Sequence, residues 1–148
     1  MFLLLGGLVM PSIQPIECRT FDLSGCDVTR IAFNYSIGMI VADERNSLSI
    51  TIEAALTATL RPDKQVVMVD PQNNNPQSAA LLLSFLHQPA KAIHTYSNGD
   101  LRLEMSNGST IEVKRDEQYE SWELSGAGSF QHIQMACTPD PTPPWGEP

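Results

Sequence analysis

The segment from Ser97 to Gly126 constrains the fold more than any other part of the chain. It contains two Asn-Gly pairs, at residues 98–99 and 107–108, and each lies between short stretches in which apolar and polar residues alternate. Asn and Gly tolerate the left-handed backbone angles that tight hairpins require, so both pairs predict turns between antiparallel strands. We therefore expect a β meander with strands at residues 92–96, 101–105, 110–113 and 120–124.

Alternation within this meander assigns each strand an inward and an outward face, as is typical of a half-solvated antiparallel sheet. The inward face carries large apolar side chains, namely Leu101, Leu103, Met105, Ile111 and Val113. The outward face carries two basic and two acidic residues, namely Arg102, Glu104, Glu112 and Lys114. Opposite charges at these positions are suitably placed for cross-strand ion pairs.

The rest of the chain before the meander predicts more strands and one helix. Alternating patterns predict strands at residues 29–35, 37–41, 48–53, 56–60 and 66–69, with a polar turn at 43–46. Asn75 is a suitable N-cap and Pro76 a suitable first helical residue, and the apolar spacing that follows predicts a helix over about residues 76–87. The predicted fold class is α+β: mainly antiparallel β meander and hairpins, with this principal α-helix packed on the sheet.

Length and composition predict a single domain between two terminal segments. The 148 residues are enough for one core, and we expect an α+β domain over residues 21–137 after an N-terminal arm over 1–20. Residues 1–9 have two interpretations, a loosely ordered arm or a segment upstream of a true start at Met10. Five prolines follow Thr138, which predicts a disordered tail over 138–148 or, through Trp145, a docking segment.

The balance of acidic and basic residues limits the classes of partner that the chain is expected to bind. Nine basic and 17 acidic residues give a formal net charge of -8, which opposes the positive surface that nucleic acids require. An acidic surface favours a basic protein partner through faster encounter, although it can also serve solubility alone. The apolar N-terminal stretch is too short to span a bilayer, so no membrane partner is expected. The oligomeric state is left open between a monomer and a weak homo-oligomer.

Cysteine and histidine spacing predicts neither a metal site nor a cofactor. Three cysteines (Cys18, Cys26, Cys137) and three histidines (His87, His94, His132) show none of the usual ligand spacings. Reduced thiols in the cytoplasm are the simplest interpretation, while a bridge between Cys18 and Cys26 stays open. Catalytic motifs are likewise absent from the sequence.

The end of the meander carries a signature formed by Tyr119, Glu120, Trp122 and Leu124. Strand alternation would place Glu120 on the same face as Trp122, where a carboxylate is costly unless it is hydrogen-bonded. A buried Glu120 could act as a general acid or base. We favour a structural role, in which it accepts hydrogen bonds from the backbone amides of a neighbouring loop.

Several of these segments occur in an order found in a known family. They are Leu23-Ser24-Gly25 with Val28-Thr29-Arg30, the strand at 47–53, the helix at 81–86, the strand at 99–103 and the run Tyr119 to Leu124. Over about residues 20 to 137 the chain resembles domain-of-unknown-function family 6188, whose members are small bacterial proteins. The resemblance implies no catalytic residues, and the family's small acidic members look like immunity proteins that neutralise toxins.

Two functional hypotheses follow from the sequence. The first is a non-enzymatic protein-binding domain, of which an immunity-type inhibitor of a basic toxin is one form. Its binding surface would be an acidic sheet face comprising Asp100, Glu104, Glu112, Asp116, Glu117 and Glu123. The second is a small-ligand-binding protein or enzyme with a cleft between helix and sheet, in which Glu120, His94 or Tyr119 would be the polar groups.

Overall fold

The computed structural model describes residues 3–5, 8–10, 15–73, 75–140 and 142–146. Eleven of the strands within these residues form two antiparallel sheets. The first sheet contains β3 (Cys18–Asp22), β7 (Leu56–Leu60), β8 (Gln65–Val69), β9 (Ala90–Tyr96), β10 (Leu101–Met105) and β11 (Thr110–Val113). The second contains β4 (Asp27–Phe33), β5 (Ile37–Ala42), β6 (Ser47–Ile52), β12 (Trp122–Ala127) and β13 (Gln134–Cys137).

The first sheet has six strands in the order β3-β9-β10-β11-β7-β8. Its centre confirms the first three strands of the predicted meander, since β9, β10 and β11 are consecutive antiparallel neighbours. Gly99 and Gly108 occupy the turns with φ of 95° and 89°, the left-handed angles that glycine adopts without steric cost. Leu101 and Leu103 are buried, as the alternation predicts.

The fourth predicted strand of the meander does not belong to this sheet. β12 lies in the second sheet, whose order is β13-β12-β6-β5-β4. Its neighbour β6 places Ile52 opposite Trp122 and Ile50 opposite Leu124, so the apolar faces of both strands point into the core. Glu120 precedes β12 rather than forming part of it, which corrects the predicted strand start.

The predicted helix is shorter than expected, and the fold is β-rich rather than clearly α+β. An α-helix, α1, spans Pro76–Leu81 and begins as predicted, because Asn75 Oδ1 accepts a hydrogen bond from Gln77 N at 3.0 Å. A 3₁₀ helix over Leu82–Phe85 follows it. The chain then turns to β4, where His87 N donates to the Val28 carbonyl at 2.7 Å. Leu86 adopts extended angles and His87 a left-handed φ of 66°, so the helical segment ends before residue 87.

Both sheets and the helical segment contribute to one core. Trp122 and Phe85 are the largest of its fully buried side chains. Trp122 also joins the sheets, because its Nε1 donates to the Gly99 carbonyl of the β9–β10 turn at 2.8 Å. No helix among the described residues is both long enough and apolar enough to cross a bilayer.

The terminal segments are described only in part, and the predicted domain boundaries stay predictions. β1 (Leu3–Leu5) and β2 (Leu8–Met10) form a separate antiparallel hairpin. The remainder of 1–14, together with residues 74, 141, 147 and 148, lies outside the described residues. Within the predicted tail, the Trp145 ring lies 4.3 Å from the Arg19 guanidinium carbon, and the Arg115 guanidinium donates to the Pro139 carbonyl.

Candidate functional site

The structure divides the predicted acidic face between the two sheets. Asp100, Glu104 and Glu112 belong to the outward side of the six-stranded sheet or to its turns, while Glu123 lies on β12 in the other sheet. Asp116 and Glu117 lie in the loop between β11 and β12. The six residues therefore do not form one continuous face, and their two groups have different electrostatic surroundings.

Each of the three predicted acidic residues on the six-stranded sheet has a basic partner. Lys114 Nζ lies 3.3 Å from Asp100 Oδ2, and Lys91 Nζ lies 3.6 Å from Glu104 Oε1. The third pair joins Arg102 Nε to Glu112 Oε1 across 3.8 Å. Because positive charges offset all three carboxylates locally, this face presents little net negative potential to a partner.

Asp100 has a structural role in addition to its ion pair. Its Oδ1 accepts a hydrogen bond from the Arg115 backbone N–H at 3.1 Å, and its Oδ2 accepts one from Asn98 Nδ2 at 3.2 Å. The carboxylate thus ties the Asn98-Gly99 turn to the end of β11. Its acceptor capacity is largely used inside the fold.

His94 lies within a hydrogen-bonded chain on the outward side of the same sheet. Its Nδ1 is 2.8 Å from Thr20 Oγ1, and its Nε2 is 3.1 Å from Glu104 Oε2. The hydrogen bond from His94, with help from the Lys91 charge, holds the pKa of Glu104 below its usual 4.5. Both ring nitrogens are engaged, and no group of three metal-ligating side chains occurs among the described residues.

The other three predicted acidic residues lie in or directly after the loop that leads into β12. We name Glu53, Asp116, Glu117, Glu120 and Glu123 the carboxylate cluster. Glu53 joins it through the backbone, because Glu53 N donates to the Ser121 carbonyl at 2.9 Å. The ion pairs found between described side chains include no member of this cluster. No ion pair between described side chains offsets the negative charge here.

Mutual repulsion within the cluster is reflected in Glu120. Burial, followed by the charges of Glu123 and Glu53, raises the pKa of Glu120 above its usual 4.5. The expected hydrogen bonds from loop amides to its carboxylate are absent among the residues that the structure describes. The structural role that we expected for Glu120 therefore has no hydrogen bond to support it.

The loop that carries the cluster is fixed in place. Ser121 Oγ accepts from Asp116 N at 2.7 Å, and Asp116 Oδ1 accepts from Gln118 N at 2.7 Å. Ser121 N in turn donates to the Cys137 carbonyl at 2.9 Å. Tyr119, near the tip of this loop, is 40% exposed. The signature thus divides into the buried residues Trp122 and Leu124, the half-buried Glu120 and the exposed Tyr119.

The polar groups predicted for a cleft between helix and sheet do not line the depression that the structure has in this region. A depression of about 270 Å³ lies between the 3₁₀ helix and the β10–β11 hairpin, with Arg61, Gln88 and Asn107 in its lining. His94 lies on the outward face of the sheet, and Tyr119 and Glu120 lie in the β11–β12 loop. These three residues do not converge on the depression. Arg61 was missed because its turn gave no chemical motif.

The cysteines form no disulfide in the structure. Cys18 is exposed, and Cys26 and Cys137 are buried. Burial, together with the Asp43 carboxylate, raises the pKa of the Cys26 thiol. The thiol form is thereby favoured, which makes Cys26 a core side chain rather than a nucleophile.

Comparison with known proteins gives one match. Residues 20–141 match the model of a protein family described as a family of unknown function, DUF6188. No curated protein and no solved structure matches the chain. The matched range contains the helical segment, the whole carboxylate cluster and both sheets apart from the first two residues of β3.

Proposed function

Because the chain belongs to the DUF6188 family, whose function is unknown, we propose its function from the charge distribution: it is a non-enzymatic protein-binding domain. Its binding surface is the carboxylate cluster together with Tyr119. The partner is a protein with a basic surface, and an immunity-type inhibitor of a basic toxin in the bacterial cytoplasm is the form we propose.

One observation carries this proposal. Asp100, Glu104 and Glu112 on the six-stranded sheet have basic partners, whereas the carboxylate cluster brings several carboxylates together with no ion pair among the described side chains. Unpaired negative charge attracts a basic partner over about one Debye length, roughly 8 Å at physiological salt, and accelerates encounter. The exposed ring of Tyr119 supplies apolar area beside the charges, as is typical of residues that contribute most to binding energy.

The test is salt-dependent capture of a partner from the native host. We expect the immobilised chain to retain a basic protein at about 50 mM salt and to lose it at about 300 mM. The variant Glu117→Gln, Glu120→Gln, Glu123→Gln removes three charges from the cluster and should retain at least tenfold less.

A matched control removes three charges elsewhere. Glu17, Glu44 and Asp63 are exposed and their side chains make no hydrogen bond among the described residues, so Glu17→Gln, Glu44→Gln, Asp63→Asn should leave capture unchanged. An equal loss of capture in both variants would show that capture depends on the net charge of the chain and not on the carboxylate cluster. Full capture by the cluster variant would refute the proposal.

A second candidate function is small-ligand binding in the depression between the 3₁₀ helix and the sheet. Its volume of about 270 Å³ and the convergence of Arg61, Gln88 and Asn107 favour it. A ligand that binds only the native state raises the melting temperature. We expect inorganic phosphate to raise the melting temperature of the wild type but not that of Arg61→Ala. Equal increases in the two proteins would show that phosphate does not bind at this site.

A further inference from the structure

β8 is an edge strand without the usual protection against pairing. It forms the end of the six-stranded sheet and pairs with β7 on one side only. Among the described residues, no backbone or side-chain group outside β7 hydrogen-bonds to its backbone. Its sequence, QVVMV, contains no charge and no proline. Natural proteins usually place such features, or a bulge, on an exposed edge to prevent association.

The outward side of β8 is apolar and exposed. Val66 is 62% exposed and Met68 is 69% exposed. The inward side is filled, since Val67 and Val69 are buried in the core with Ala79 of α1. The strand therefore presents unpaired backbone groups along its free edge and accessible apolar side chains on its outward face.

The other three edges of the two sheets differ from β8. β3 carries Arg19, which stacks on Trp145. β4 carries charges at Asp27 and Arg30 and is interrupted by an irregularity in its pairing. β13 has four residues and exposes no large apolar side chain. These features disfavour pairing at the other edges, so β8 is the edge available for it.

The residues at the two ends of β8 favour a second copy of the same strand as its partner. In a two-fold antiparallel pair centred on Val67, Val66 of one copy lies opposite Met68 of the other. Lys64 and Asp70 directly flank the strand, so the same antiparallel pairing brings Lys64 of one copy to the end of the strand that carries Asp70 of the other, at both ends of the contact. The ion pairs between described side chains engage neither residue. Cross-strand pairs of opposite charge and of apolar side chains both stabilise a sheet.

We propose that two copies of this chain associate through their β8 edges, joining their six-stranded sheets into one continuous antiparallel sheet. The contact is isologous, as two-fold symmetry requires. It is a small interface and hence a weak one, with equilibrium between monomer and dimer in the micromolar range or above. It uses no member of the carboxylate cluster, so its test is independent of the proposed function.

The first measurement is sedimentation velocity of the full chain from about 1 µM to about 500 µM. We expect the wild type to shift from monomer to dimer across this range. The variant Val66→Lys, Met68→Lys places two lysines opposite each other twice, and like charges at such positions destabilise pairing. It should raise the dissociation constant at least a hundredfold.

The matched control adds the same two charges at exposed apolar positions outside β8. Tyr35 is 80% exposed and Leu83 is 48% exposed, so Tyr35→Lys, Leu83→Lys should dimerise like the wild type. Lys64→Glu should weaken the dimer at low salt and less at high salt, because the effect of the reversed pair is screened. A dimer that withstands the β8 substitutions, or one that the control disrupts equally, would overturn the proposal.

Hydrogen exchange of the wild type alone provides a second readout. In the dimer the outward amides of β8 gain partners, so exchange over residues 65–69 should slow as the concentration rises. Exchange over β3 and β4 should not change. A wild type that stays monomeric throughout, or one that dimerises with no added protection in β8, would refute the inference.

Discussion

Trp122→Phe tests whether the two sheets depend on a single side chain for their connection. Trp122 is fully buried on β12 of the second sheet, and its Nε1 donates to the Gly99 carbonyl in a turn of the first sheet at 2.8 Å. Phenylalanine keeps most of the aromatic packing but has no N–H group. The substitution therefore removes the hydrogen bond and a small part of the buried volume.

The expected loss of stability is the sum of two effects. A buried carbonyl left without its donor costs about 1–3 kcal/mol. The smaller ring leaves a cavity, which at roughly 24 cal/mol per Å³ costs about 1 kcal/mol for a void of some 40 Å³. We expect Trp122→Phe to lower the free energy of unfolding by about 3 kcal/mol, which corresponds to a fall in melting temperature of about 6–12 °C.

Urea denaturation followed by far-ultraviolet circular dichroism measures this change. The control is Trp145→Phe, because Trp145 is partly exposed and contacts Arg19 mainly through its ring face. We expect that substitution to change the free energy of unfolding by less than about 0.5 kcal/mol. A loss below about 1 kcal/mol for Trp122→Phe would show that the hydrogen bond does not connect the sheets as described.

Three further predictions concern single residues. Burial and two neighbouring carboxylates raise the pKa of Glu120, so the ionised carboxylate destabilises the fold above that pKa. Glu120→Gln should therefore increase the free energy of unfolding in urea at pH 7 and leave it unchanged at pH 4. The pKa of Glu104 is lowered mainly by His94, so its contribution to stability is present above pH 4.5 and is lost as the pH falls through the lowered pKa. His94→Ala should bring the Glu104 pKa back toward 4.5 in an NMR titration. A Cβ at Gly126 would overlap the Phe130 backbone, so Gly126→Ala should cost about 2 kcal/mol or more in urea unfolding, whereas Gly38→Ala, whose nearest contact is 4.0 Å away, should cost nothing.

The parts of the fold that sequence predicted are those with local causes. The Asn-Gly turns and the Asn75 cap depend on residues within a few positions of one another, and the structure contains each of them. The polar turn at 43–46 is likewise local, because Asp43 Oδ1 accepts from the backbone amides of Arg45 and Asn46, each at 2.8 Å. Such interactions form whatever sheet the strands later join.

The predictions that were wrong concern elements whose position depends on residues far away in the sequence. The helix ends early because His87 pairs with Val28, and nothing near residue 87 indicates that partner. β12 follows the meander in sequence but joins β6, about seventy residues earlier, because only that pairing buries Trp122 against Ile52. An apolar stripe or an alternating strand pattern indicates that one face of an element is buried, but it does not indicate which other element covers that face.

Only the local contacts of the candidate site could be predicted from the sequence, because its other contacts form between distant segments. Cross-strand pairing of Arg102 with Glu112 follows from the turn between them, and the structure has this pair. Glu53, by contrast, reaches the loop at Glu120 only through a hydrogen bond to Ser121 made when the sheets assemble. Total acidity therefore does not locate a binding surface, because the register of the strands decides which carboxylates are offset. Under the proposed function, the charges of the carboxylate cluster that stay unpaired after the strands have paired are the ones that would contact a basic partner.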